Sequence, residues 1–146
     1  MEELIALLDR VNEVDQTTDD LLLDEIFRNK SFVIGLNVDE QLFNGLDANG
    51  QQITPPYAPS TINRKMQIGQ PVDRVTLNDE GDFYDSFKMI RGATSFEMTA
   101  DDFKAPFLAT RYGPQIFGLT DSSVAKVQEK IEPGFIDQVQ KKLLGE

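Results

Sequence analysis

The sequence predicts an α+β fold: a small antiparallel sheet packed with N- and C-terminal helices, and a long structured central loop. Three observations carry that prediction. Apolar residues at both ends of the chain follow helical spacing, as Leu4, Ile5, Leu8 and Val11 do near the start and Phe135, Ile136, Val139, Leu143 and Leu144 near the end. Two β-rich runs, Phe87-Lys88-Met89-Ile90-Arg91 and Ser95-Phe96-Glu97-Met98-Thr99, lie either side of Gly92-Ala93-Thr94 and read as a hairpin. Between these regions, turn residues and prolines crowd residues 45–81. Helices, then strands, then helices argue for α+β over a parallel α/β sheet. At 146 residues the chain suits a single domain over 1–146, with a helical segment at 1–30, an α+β core at 31–120 and C-terminal helices at 121–146.

The elements follow in order. Leu7 widens the apolar stripe of the first helix. Thr17 or Thr18 is predicted to cap a second helix, with Asp19 and Asp20 in the first turn, where the helix dipole favours acids. Leu22, Leu23, Ile26 and Phe27 line its buried side, and Asn29-Lys30 ends it. Residues 31–44 read as a short strand or extended run through Phe32-Val33-Ile34, then a short helix through Phe43 opened by a capping box of Asn37 and Glu40. A continuous helix is the rival reading there. Leu46-Asp47-Ala48-Asn49-Gly50-Gln51 is a turn by its chemistry, and Thr54 to Pro59 is stiff and extended. Pro59-Ser60-Thr61 starts a helix, with Ser60 as cap, that reaches about Gln67 and is stopped by Gly69 and Pro71. Val75-Thr76-Leu77 is a short apolar run, and Asp82 to Phe87 is one helical turn or two. Phe103 to Thr110 is a third strand candidate. Tyr112-Gly113-Pro114 turns the chain, Ile116 to Leu119 links onward, and Thr120-Asp121-Ser122 caps a helix carrying Val124, Val127 and Ile131. Pro133 is expected to break that helix before the last one begins.

Composition narrows function. The chain has no cysteine and no histidine, which removes disulfides, thiolate nucleophiles, Cys- or His-ligated metals, Ser-His-Asp triads and His general bases. No stretch approaches the roughly 20 apolar residues of a membrane span. Met1-Glu2-Glu3-Leu4 is acidic and lacks the pattern of a signal peptide, so the chain is expected to stay in the compartment where it is made. The net charge of −11 is uneven: residues 1–47 hold twelve acids against Arg10, Arg28 and Lys30, whereas residues 48–75 hold Arg64, Lys65 and Arg74 against Asp73 alone. Such a balance opposes nucleic-acid and anionic-membrane partners. It serves solubility, or an acidic surface that meets a basic patch on a neighbouring subunit, the Arg64/Lys65 region included.

Few motifs carry chemistry. Asp47-Ala48-Asn49-Gly50 is superficially like a calcium loop, but counted from Asp47 the sixth position is Gln52 and the twelfth is Ala58, where that loop needs Gly and a bidentate Glu. Asp79, Glu80, Asp82 and Asp85 form a carboxylate cluster that could work as an acid–base pair in a hydrolase or hold a hard cation. Helix capping and a subunit contact account for the same residues. Arg64-Lys65 near Tyr57 could bind nucleic acid through charge and stacking, yet the overall charge favours an inter-subunit salt bridge. An acidic binding or inhibitor module is a third reading. No catalytic residue, cofactor or metal ligand is assigned.

Gln41 to Gly50, Pro56-Tyr57-Ala58-Pro59-Ser60-Thr61, Lys65, Gly69-Gln70-Pro71 and Val75 to Phe87 come in a recognisable order. Leu77, Asp79, Gly81, Phe83 and Ser86 keep a Leu-x-Asp-x-Gly-x-Phe-x-x-Ser spacing. Taken together the passage resembles the phage virion-morphogenesis and tail-completion proteins, which are related to head–tail connector proteins. Tyr112-Gly113 and Phe117-Gly118-Leu119-Thr120-Asp121 resemble the closing segment of that family, so the likeness spans roughly residues 38–145. The chain departs from the family in lacking His near Tyr112-Gly113 and in having Glu80 where Thr or Ser is usual. The resemblance implies a structural, non-enzymatic protein that completes the tail or joins head to tail as a ring, a hexamer if it follows the symmetry of the tail. Its partners would be other phage tail or neck proteins. It would be made in the bacterial host cytoplasm and end in the virion. The candidate assembly surface is Tyr57, Arg64, Lys65, Arg74, Asp79, Asp82 and Asp85.

Overall fold

The computed structural model describes residues 2–145, with side chains throughout except at 14–16. Met1 and Glu146, the ends of the expected single domain, lie outside the described residues. The architecture is α+β: helices surround a two-stranded antiparallel sheet.

Helix α1 (Glu2–Arg28) is continuous, so the expected break at Thr17 or Thr18 does not occur. Thr17 Oγ1 donates to the Glu13 carbonyl at 2.8 Å inside the helix, the back-bonding that a mid-helix threonine can make in place of capping. The helix ends where expected: Asn29 N–H bonds the Ile26 carbonyl at 3.1 Å and its Nδ2 donates to the Glu25 carbonyl at 2.9 Å. The chain then re-enters helix at once. Helix α2 (Lys30–Gly35) runs into a π-helical segment, Leu36–Gln41, and a 3₁₀ turn, Leu42–Asn44. The expected strand at Phe32-Val33-Ile34 is therefore corrected to helix. Val33, Leu36 and Leu42 on this helical run are almost fully buried, and packing of this kind overrides a β-propensity that is itself largely a measure of packing. Asn37 does not open a capping box. It is buried, and its amide binds the backbone of the distant linker before the last helix.

The central loop keeps its predicted turn. Asp47 Oδ1 accepts from Asn49 N–H at 2.9 Å and from Gln51 N–H at 3.0 Å, and Gly50 takes φ 74°. Helix α3 (Pro59–Gln67) begins after Ala58 and not Ser60, with Pro59 in the first turn, where its missing N–H is no loss. Helix α4 (Asp82–Asp85) leads into strands β1 (Phe87–Arg91) and β2 (Phe96–Ala100), paired from Phe87 with Ala100 to Arg91 with Phe96. The third strand is corrected to helix α5 (Ala105–Tyr112). Asp102 Oδ1 accepts from Lys104 N–H at 2.8 Å and Pro106 occupies the first turn, both helix-start chemistry. Phe103 and Phe107, whose apolarity suggested a buried strand, are 87% and 68% exposed.

Helix α6 (Asp121–Leu144) starts as read, with Thr120 Oγ1 accepting from Ser123 N–H at 3.1 Å. Pro133 does not break it. Proline removes one intrahelical bond, while packing on both sides of it keeps the axis running. Val127 and Ile131 are buried before it, and after it Gly134 meets Glu25 of α1, where a Cβ would lie 2.8 Å from Glu25 Cδ. Lys142 Nζ bonds Glu13 Oε1 at 2.9 Å further along, so α1 and α6 run antiparallel.

The core joins these layers. Phe83, Phe87 and Phe117 form an aromatic cluster, with Phe87 5.1 Å from Phe83 and 5.4 Å from Phe117 between centroids. Leu42, Ile116 and Val33 are sealed beside it. The hairpin is tied to α1 by Phe27 edge-on to Phe96 at 6.3 Å and by Arg91, whose Nη1 reaches Asp24 at 2.7 Å.

Candidate functional site

A cleft of about 310 Å³ opens between α3 and α5 above the 76–80 passage. Its position follows from local chemistry. The extended prolines deliver Tyr57 just before α3, and the Tyr57 hydroxyl accepts from Thr76 N–H at 2.9 Å and Leu77 N–H at 3.4 Å. That pins the 76–80 passage beneath α3. Leu77 sits at φ 58°, a left-handed conformation uncommon outside glycine, and so turns its side chain into the cleft floor. Tyr84 also holds this passage, donating its hydroxyl to the Thr76 carbonyl. Burial pushes the Tyr84 phenol well above its ordinary pKa, and the nearby Tyr57 phenol and Asp39 carboxylate push the same way.

The structure brings together four of the seven residues assigned from sequence. Tyr57, Arg64, Lys65 and Asp79 all line this cleft. Their exposure differs: Arg64 is exposed, Tyr57 and Asp79 are half-buried and Lys65 is buried. Lys65 is 3% exposed, and its Nζ donates to Gln70 Oε1 at 2.9 Å and the Asn78 carbonyl at 2.8 Å and sits 5.0 Å from the Tyr57 ring centroid. A buried ammonium so enclosed holds α3 to the 70–78 passage. Arg64 Nη1 bonds Asp79 Oδ1 at 3.0 Å within the chain, and its side chain remains half exposed.

The other three residues lie apart from the cleft. Arg74 donates from Nε to the Phe43 carbonyl at 2.7 Å and stacks over the Phe43 ring at 5.1 Å. Its Cβ leaves no room for a side chain at Gly45, where a Cβ would come within 2.8 Å. Asp82 and Asp85 are exposed on α4 and neither lines the cleft. Within the carboxylate cluster, Asp79 is engaged by Arg64, Asp79 and Glu80 line the cleft, and Asp82 and Asp85 are exposed outside it. Among the described residues no group of three or more acidic side chains is gathered as a metal site.

The second wall of the cleft, Lys104, Phe107, Leu108, Arg111 and Tyr112 from α5, was missed. The signal was present in the spacing of Lys104, Leu108 and Arg111, which shares one helical face, but the apolar run around it read as strand. Neither Lys104 nor Arg111 has a carboxylate partner among the described residues; each cation lies near an aromatic ring, Lys104 by Phe103 and Arg111 by Tyr112. Four of the chain's 14 cations thus surround one cleft that holds only Asp79 and Glu80 as acids. Its walls carry the apolar side chains of Leu77, Phe83, Phe107 and Leu108, and its rim carries donors from Arg64, Lys104 and Arg111, a chemistry suited to apolar groups with negative charge. No family model, curated protein or solved structure matches the chain.

Proposed function

We propose that this chain is a structural protein of tailed-phage or prophage virion assembly, completing the tail or joining head to tail as an oligomeric ring. The observation that carries this reading is the first half of α1. Leu4, Ile5, Leu7, Leu8 and Val11 are 45–58% exposed on one helix. Monomeric soluble proteins seldom leave so continuous an apolar patch uncovered, and a patch of this kind marks a surface for another chain. The order of motifs from Gln41 to Phe87 supplies the particular assembly, because that passage resembles tail-completion proteins. The alternative, a hydrolase built on Asp79, Glu80, Asp82 and Asp85, is less favoured because Asp79 is engaged by Arg64 and Asp82 and Asp85 do not line the cleft.

The test is genetic. Deleting the coding sequence from the phage or prophage that carries it should leave filled heads and tails unjoined, or tails of abnormal length, in electron micrographs. Supplying the chain in trans should restore joined particles. Normal particles in the deletion strain would sink the proposal.

A further inference from the structure

We propose that the cleft between α3 and α5 receives the first half of α1 from a second copy of this chain, head to tail. The inference rests on the assembly reading and names the contact through which it would act.

Two unpartnered surfaces match in chemistry. The donor is an apolar stripe, Leu4, Leu8 and Val11 at successive turns with Ile5 beside it, flanked by Glu2, Glu3 and Asp9, which are all exposed. The acceptor has an apolar lining of Leu77, Phe83 and Leu108 with the exposed Phe107 at its edge, and a rim where Lys104 and Arg111 lack carboxylate partners among the described residues. Neither surface alone accounts for its charge. A chain of net −11 has concentrated cations at one cleft, and the exposed apolar residues of α1 carry acids at their margins. Docking one on the other pairs both the apolar areas and the charges.

Size agrees. The cleft's volume of about 310 Å³ is about twice the ~150 Å³ that suffices for a benzene-sized group. It therefore takes two leucine-sized side chains, and Leu4 and Leu8 lie one turn apart on the same face. In this structure α1 lies along α6, with Glu13 bonded to Lys142 at 2.9 Å and Glu25 packed against Gly134, and its first half does not line the chain's own cleft. The occupant is then a second copy. Because the donor and acceptor patches differ, a docked copy still offers a free cleft at one end and a free helix at the other. Contacts of this heterologous kind propagate until a ring closes.

The absence of native cysteine allows a direct test. Leu8→Cys and Thr61→Cys are prepared separately, each checked by circular dichroism for unchanged helicity, then mixed under mild oxidation. Thr61 lines the cleft, so the expected product is a mixed disulfide dimer well in excess of either homodimer. Adding Lys104→Glu and Arg111→Glu to the Thr61→Cys chain should cut the mixed product about tenfold, and Glu3→Lys with Asp9→Lys in the Leu8→Cys chain should restore it. Dominant Leu8–Leu8 dimers, a mixed product indifferent to charge reversal, or no mixed product at about 1 mM chain would each overturn the docking. The assembly reading is judged separately by the deletion strain. Unjoined particles without the crosslink leave assembly standing through another contact, and the crosslink with normal particles leaves self-docking standing without a virion role.

Discussion

The Asn37 side chain holds the Ile116 carbonyl, with Nδ2 donating at 3.0 Å between two residues that are both fully buried. The same amide accepts from Gly118 N–H at 2.9 Å through Oδ1. Gln41, one turn on, repeats the arrangement: Nε2 donates to the Gly118 carbonyl at 2.9 Å, while Oε1 accepts from Thr120 N–H at 3.0 Å and Ser123 Oγ at 2.9 Å. Two amides four residues apart thus fasten the linker before α6 to the π-helical segment, and Thr120, the cap of α6, is held in the same network. Rare π-helical turns are retained where they present side chains that regular helix would not align.

Removing Asn37 leaves the buried Ile116 carbonyl and the part-buried Gly118 N–H without their partner, and a buried group so left costs about 1–3 kcal/mol. Asn37→Leu keeps the volume and should lower unfolding stability by about 3 kcal/mol, read as a fall in urea midpoint at constant m-value. Gln41→Leu should act similarly, and the double variant should cost less than the sum because both amides serve the same linker. A loss under about 1 kcal/mol for Asn37→Leu would show that the network is not holding the linker.

Gly134 should behave oppositely to an ordinary helix glycine. Replacing an interior glycine with alanine normally stabilises by about 1 kcal/mol. Here the new Cβ would press on the Glu25 carboxyl, which is 6% exposed and ion-paired to Arg28, so it cannot swing aside freely. Gly134→Ala should therefore destabilise by on the order of 1 kcal/mol, and Glu25→Ala should reverse the sign of that effect. Thermal unfolding of the three variants in a double-mutant cycle measures it; a stabilising Gly134→Ala in the parent would contradict the close α1–α6 crossing.

Neighbouring cations in α3 should differ sharply. Arg64 and Asp79 form a largely exposed pair, whose loss in Arg64→Ala should cost under about 1 kcal/mol and vanish further in salt. Lys65 is buried against two acceptors and a ring face, so Lys65→Met strands the Asn78 carbonyl and should cost about 2–4 kcal/mol. Denaturant titrations of both variants at low and high salt compare them directly. Equal losses would mean that Lys65 is solvated, contrary to its burial.

That contrast shows where the sequence was legible. Turn and cap chemistry reads locally, so the Asp47–Gln51 turn, the Thr120 helix start and the Phe87–Ala100 hairpin all emerged from residue types at short range. What the sequence hid depended on distant partners. Phe32-Val33-Ile34 has strand character, yet Val33 packs into the core as part of a helix. Pro133 has breaker character, yet α1 holds both sides of it. Tyr57, Arg64, Lys65 and Asp79 were singled out and do share one cleft, but their charges proved internally engaged. The unpaired cations came from α5, whose helical face was masked by Phe103 and Phe107, apolar residues that turned out to face solvent.

Tyr84 makes stability fall at alkaline pH. Burial raises its folded-state pKa, whereas in the unfolded chain the phenol titrates near 10. Below that pH both states hold the proton and the stabilising contribution is fully present. Above it the unfolded state loses the proton first, so stability declines with rising pH until the folded phenol also ionises. Unfolding midpoints measured from pH 8 to 11 should be level at first and then drop, with the fall beginning near the unfolded value of about 10. Tyr84→Phe loses the hydrogen bond to the Thr76 carbonyl and should cost about 1 kcal/mol at neutral pH. It should also flatten the alkaline decline, because phenylalanine has no proton to lose. An unchanged slope in Tyr84→Phe would assign the decline to another group.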